Sequence, residues 1–272
     1  MKKISALFPL IFLFLLSGCE EVVDLDLETQ RPRLVIDAGI DWIKDTDGSV
    51  QTIRLTTTAA YYAPTVPAVT GATVFIANSV GDIFTFTEDP GTGNYICNEF
   101  VPVLNETYFL TVDYDGQTYT AQETLVATSD ILTIEQDNEG GFLGDEVEVK
   151  FFYQDEPTMG NHYLVRFDAP VFPYPDYEVI SDEFINGNQT FESVSEETLE
   201  AGVDVRIRLY GISERYYDYM SKLLLMTGGS GGPFGTAPAT VRGNIVNETD
   251  ESNFALGFFR LSEVDQENYT IQ

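Results

Sequence analysis

The chain holds 272 residues with 44 Asp+Glu against 14 Lys+Arg, a formal net charge of −30. A surface this acidic repels phosphate backbones and anionic lipid headgroups, which excludes nucleic acid as a partner and a polybasic route to a membrane. An apolar content of 43% with 19 Phe and 15 Tyr is ample for a packed core, while one His and two Cys leave too few ligands for a zinc site.

The chain opens on Met1-Lys2-Lys3, followed by an apolar run from Leu7 to Leu16 and then Ser17-Gly18-Cys19. A basic start, a short apolar stretch and small residues before a cleavage point describe a bacterial export signal. The run is too short to cross roughly 30 Å of hydrocarbon as a helix, which needs about 20 residues. Leu16-Ser17-Gly18-Cys19 resembles the lipobox of bacterial lipoproteins. That resemblance implies cleavage before Cys19, a diacylglycerol thioether on its sulfur and the several acyl chains that stable anchoring takes. Loss of residues 1–18 would remove Lys2 and Lys3, leaving 12 Lys+Arg against 44 Asp+Glu and a net charge of −32. Residues 19–33 then form an acidic tether. Its Glu20-Glu21 is similar to the signal that sends Bacteroidota lipoproteins to the cell surface, and a plain solvated linker is the other reading.

Residues 34–127 predict about seven short strands separated by turn signals. They fall at Leu34–Ala38, Val50–Ala59, Ala72–Ala77, Ile83–Thr87, Tyr95–Cys97, Tyr108–Tyr114 and Gln117–Ala121. Asp115-Gly116 between the last two is a strong hairpin signal, because both central residues of a type I′ turn need positive φ. This spacing predicts an immunoglobulin-like β-sandwich in architecture, without the Cys…Trp…Cys pattern of antibody-type domains. With Cys19 acylated, Cys97 has no disulfide partner and reads as a buried, inert thiol.

Residues 128–272 predict a second β-rich domain with one α-helix. Glu146–Phe152, His162–Phe167 and Val203–Tyr210 alternate cleanly. Tyr163, Val165 and Phe167 share one strand face, leaving His162, Leu164 and Arg166 on the other. Three prolines in Ala169–Tyr177 make that stretch a loop or an edge. A helix near 213–226 starts at Ser213 as N-cap, with Glu214 in its first turn, and stops at Gly228-Gly229. Tyr216, Tyr217, Met220, Leu223 and Leu224 form its apolar stripe, read as a core face. Two closing strands, Val241–Val246 and Ala255–Phe259, follow the glycine-rich loop 228–232, which reads as a flexible connection.

Several of these pieces, in order, resemble a Bacteroidota lipoprotein family known by a domain-of-unknown-function label, number four-two-four-nine. They are Cys19-Glu20, Leu34–Ala38, Val69–Val74, Thr107–Leu110 with Asp115–Ala121, Gly232-Pro233-Phe234, Gly243-Asn244-Ile245 and Ala255–Phe259. Members are often encoded beside TonB-dependent outer-membrane receptors, so the resemblance implies an accessory role in capturing or delivering a nutrient or polypeptide. The family has no established catalytic residues, and none is carried over.

Among candidate chemistries, His162 reads as a surface or edge histidine rather than a catalytic base. With 44 acidic residues, carboxylate pairs at glycosidase spacing arise by chance, and no carboxylate is visibly tuned. Asp45-Thr46-Asp47-Gly48 and Glu135-Gln136-Asp137-Asn138-Glu139-Gly140 place oxygen ligands close to glycine, as calcium prefers, although hairpin turns select the same residues and that reading is favoured. No other cofactor is implied. Phe172, Tyr174 and Tyr177, with Tyr61 and Tyr62, are candidates for a contact surface, because Tyr offers a rigid apolar body with a polar tip; loop aromatics tucked onto the sandwich end are the alternative. The expected function is a non-enzymatic, lipid-anchored outer-membrane protein facing the cell surface and serving a TonB-dependent receptor. A stand-alone adhesive or structural surface protein comes second and a carboxylate-based hydrolase third.

Overall fold

Alternation between apolar and polar residues organises the chain into strands that bury one face each. The computed structural model describes residues 31–60, 63–227 and 241–272. The signal segment, Cys19, most of the tether, Tyr61, Tyr62 and the glycine-rich loop 228–232 lie outside the described residues.

The seven strands expected in the first half are all present. They are β1 (Leu34–Ile43), β2 (Gln51–Thr57), β3 (Thr73–Asn78), β4 (Ile83–Asp89), β5 (Asn94–Cys97), β6 (Thr107–Tyr114) and β7 (Gln117–Thr124). Asp115 and Gly116 join β6 to β7 at φ 51° and 72°, as the hairpin signal requires. Strand β4 turns the sheet into a sandwich by changing partners along its length. Its residues 83–86 pair with β3, and Thr87, Glu88 and Asp89 pair with β5. The two layers close on a shared core in which Ile36, Ile53 and Tyr95 of one meet Val74, Ile76, Tyr108 and Leu110 of the other. Cys97 is buried in this core and free.

The second half adds β8 (Ile131–Gly140), β9 (Glu146–Gln154), β10 (His162–Asp168), β11 (Asp176–Ser181), β12 (Gln189–Ser195) and β13 (Asp204–Ile212). Next come the helix α1 (Glu214–Thr227), a two-residue β14 (Val246–Asn247) and the 15-residue β15 (Leu256–Thr270). Strands β12, β9 and β8 form a small sheet of their own, and the other twelve strands form one long sheet. Val149, Phe151 and Tyr153 of β9 pack against Tyr163, Val165 and Phe167 of β10 and Val205, Ile207 and Leu209 of β13. Those are the apolar faces that the alternation predicts. The fold is mostly β, two sandwiched cores on one face of a long sheet, with a single α-helix among the described residues.

Three expectations change. The stretch Glu135–Gly140 is not a turn but the end of β8, and a bulge between Asp137 and Gly140 absorbs its irregular pattern. Strand β12 was not predicted, because Gln189–Ser195 carries only two large apolar residues. Of the first closing strand expected, only Val246 pairs, bridging Thr120 of β7.

The C-terminal segment also does not stay with the second core. Ile245, Ala255, Phe259 and Leu261 join the first, while Tyr269 packs against the second. The reason is β15, which pairs in parallel with β1 from Leu256 to Val264 and antiparallel with β13 from Val264 to Thr270. Gly257 permits this at φ 97°, where a Cβ would stand 2.0 Å from the Ile36 carbonyl oxygen. The Asn244 side chain secures the strand by accepting from Phe259 N at 2.8 Å and donating to Phe259 O at 2.7 Å. The Gly-Asn and Leu-Gly pieces of the family resemblance thus fix the strand that belongs to both halves.

Candidate functional site

Because both sandwiched cores lie on one face of the long sheet, the opposite face is free for other uses. Over the second half it is covered by α1. Ser213 caps that helix, its Oγ accepting from Tyr216 N at 3.2 Å. The apolar stripe then packs Met220, with Tyr216, Tyr217, Leu223 and Leu224, against Leu164, Tyr210, Ile212 and Val264.

Where the helix begins, this face opens into a cleft of about 350 Å³ at the junction of the two halves. Strand register explains its residues. Asp37 of β1 lies opposite Arg54 of β2, and Arg54 lies opposite Asn94 of β5. Gly39 pairs with Arg260 of β15, and Arg166 of β10 pairs with Tyr177 of β11. Asp41, Thr52, Leu164, Tyr210 and Tyr216 complete the lining.

Arg260 is the most constrained of these groups, at 9% exposure. Its Nη2 donates to Asp41 Oδ1 at 2.6 Å, and its guanidinium lies 5.0 Å from the Tyr210 ring centroid and 5.4 Å from that of Tyr216. Nη1 is buried and makes no hydrogen bond. Burial works against the charge, but the Asp41 carboxylate and the two tyrosine hydroxyls outweigh it and hold Arg260 more firmly protonated than a free arginine. Gly39 makes room for the group, since a Cβ there would come within 2.8 Å of Nη2. Arg166 donates from both Nε and Nη2 to Asp168 Oδ1 and lies 5.5 Å from the Tyr177 ring centroid. Arg54 and Asp37, both exposed, have neither a hydrogen bond nor an ion pair. Three of the chain's few cations therefore converge on one cleft with three tyrosines.

Of the described aromatics predicted as a contact surface, Phe172, Tyr174 and Tyr177, only Tyr177 lines this cleft. Phe172 packs against the second core, and Tyr174 stands 82% exposed. Asp45 and Asp47 lie in the turn after β1. Asp47 Oδ1 accepts from Ser49 N at 3.0 Å and Ser49 Oγ at 2.9 Å, and these donors hold its carboxyl below the usual range. Asp45 adopts φ 62°. This is turn chemistry, and among the described residues no group of His, Cys, Asp or Glu is arranged to hold a metal ion. His162 engages the Gly160 carbonyl at 3.0 Å and the Tyr217 ring at 4.9 Å, outside the cleft. A larger depression of about 670 Å³ lies over β4 and β5, but it is lined by Asp82, Glu99, Ile83 and Val101 without a cation.

Sequence reading missed Arg54, Arg166, Arg260, Asp37 and Asp41. Each stands on the polar side of an alternating strand, where a solvated face is the ordinary assignment. Arg260 alone carried a signal, as a charge inside the apolar run from Ala255 to Leu261.

No curated protein matches the chain. Among solved structures, it is similar to a two-domain fibronectin type III segment of chicken tenascin at 11% identity, covering 68% of this chain and 92% of that one with a TM-score of 0.22. A cytokine receptor complex matches at 9% identity over 68% and 86%, with a TM-score of 0.25. Likenesses this loose carry no argument, and the sandwich assignment rests on the strand pairing above. One family model, described as Domain of unknown function (DUF4249), matches residues 20–268. The chain belongs to that family.

Proposed function

We propose that the protein is a non-enzymatic capture protein, held at the outer membrane through an acylated Cys19 and facing the cell surface. It serves as the accessory of a TonB-dependent receptor in taking up a nutrient or polypeptide. The observation that carries the capture role is the cleft between the two halves. Its arginines, tyrosines and carboxylates are preformed and recognise charge and aromatic faces, as ligand sites do. The sole histidine is not among its lining residues, and the net charge of −30 leaves nucleic acid out as a ligand.

The test is to purify the protein in mild detergent from its native outer membrane, through a C-terminal tag, and identify what accompanies it. Stoichiometric recovery of a TonB-dependent receptor supports the accessory role. Recovery of the lipoprotein alone across growth conditions sinks it and leaves the stand-alone surface protein.

A further inference from the structure

The lining of the cleft carries unspent polar capacity of both signs. Arg54 and Asp37 face each other across β1 and β2, and neither side chain makes a hydrogen bond or ion pair among the described residues. Directly opposed residues in an antiparallel pair hold their Cβ atoms about 5 Å apart. In the same cleft Arg260 is buried with its charge met by Asp41 and its Nη1 unbonded, which leaves one donor unspent. Arg166 adds a second guanidinium, whose Nε and Nη2 are taken by Asp168.

Two features of the charge set narrow the ligand. A simple anion would find the arginines but would have to approach a chain of net charge −30 and displace itself past Asp37 and Asp41. A simple cation would find Asp37 but would sit beside the unpaired Arg54 guanidinium. A ligand with no net charge, and with both charges close together, avoids both penalties. An α-amino acid has this property, since its ammonium and carboxylate stand on one carbon. That spacing suits an Asp and an Arg directly opposed on neighbouring strands. The volume of about 350 Å³ is at the lower end for ligand pockets, which suits a molecule of that size.

We propose that the cleft binds a zwitterionic α-amino acid, its carboxylate on Arg54 and its ammonium on Asp37. Tyr177, Tyr210 and Tyr216 wall the space beside the bound side chain. The inference rests on the capture role proposed above and names the ligand class of the same site.

Calorimetric titration of the dialysed, detergent-solubilised full chain tests it, with the common L-amino acids as probes. For an amino acid that binds, its N-acetyl derivative and its amide are titrated alongside. Each blocked form is expected to bind about tenfold more weakly or worse, since each loses one charge-assisted contact. Arg54→Ala should weaken the free amino acid and its N-acetyl form alike, whereas Asp37→Asn should weaken the free amino acid and leave the N-acetyl form unchanged. Both residues are exposed, so these variants are expected to keep the wild-type melting temperature. The proposal fails if no common amino acid binds up to about 10 mM, which corresponds to a binding energy too small for capture. It fails equally if the N-acetyl form binds as tightly as the free amino acid, which would make the site one for plain carboxylates. A receptor that still co-purifies when either happens leaves the accessory role standing and removes only this ligand.

Discussion

Arg260 holds a buried charge that a single carboxylate balances, and its neighbours on β15 are apolar. Removing one partner of such a pair leaves the other charge uncompensated, which typically costs about 3 kcal/mol or more, whereas replacing both partners by apolar groups is often close to neutral. Asp41→Ala is therefore expected to lower the stability measured by urea denaturation by about 2–3 kcal/mol, its own side chain being partly exposed. Asp41→Ala combined with Arg260→Met should recover most of that loss. A single variant as stable as wild type would mean that the ion pair does not hold the floor of the cleft. Glu192 titrates the other way. Burial, reinforced by the Glu178 carboxylate, pushes its carboxyl up to about 8 from the ordinary 4.5. The folded state thus holds this proton more tightly than the unfolded chain does. The resulting stability is complete below the unfolded value and is lost as pH rises through about 8. The denaturation midpoint is expected to fall between about pH 5 and 8, and Glu192→Gln should remove that part of the fall. An identical slope in the variant would contradict the assignment. The cleft itself was hardly legible, because its residues come from seven strands, β1, β2, β5, β10, β11, β13 and β15, and from α1, and meet only through long-range register and helix packing. Nothing local marks Arg54 or Asp37 as different from any charge on a solvated strand face.

At the scale of elements, the sequence was most readable where one face is buried and the turn chemistry is specific. The β6–β7 hairpin follows from Asp115-Gly116, and the faces of β10 and β13 follow from period-two alternation. The helix follows from its cap and stripe, and Ser213→Ala should destabilise the protein by about 1 kcal/mol through the lost bond to Tyr216 N. Circular dichroism melts of the two proteins that superimpose would show that the cap contributes nothing. The elements misread were those whose partners lie far away. Strand β15 reads from sequence as a short closing strand, yet it extends to Thr270 because β13 accepts its C-terminal end. Gly257 is the residue that makes the first pairing possible. Gly257→Ala would force a Cβ onto the Ile36 carbonyl at a φ that side chains rarely adopt, and a loss of about 3 kcal/mol or more is expected in the same denaturation assay. Wild-type stability in that variant would show that β15 can leave β1 without cost.

For the whole molecule, the long sheet places both apolar cores on one side and leaves the other side to the helix and the cleft. A chain so acidic has no electrostatic means of staying near an anionic membrane, so the proposed location depends on acyl chains. Replacing Cys19 by Ala should move the protein from the membrane fraction to the soluble fraction, and a variant that still sediments with membranes would speak against a lipid anchor. Mass spectrometry of the N-terminal peptide from membrane-extracted protein examines the same point on the native molecule. Attachment at Cys19 predicts that the chain starts at residue 19 and that this residue carries the added mass of acyl groups. A peptide that retains residues 1–18, or one that starts at an unmodified Cys19, would contradict it.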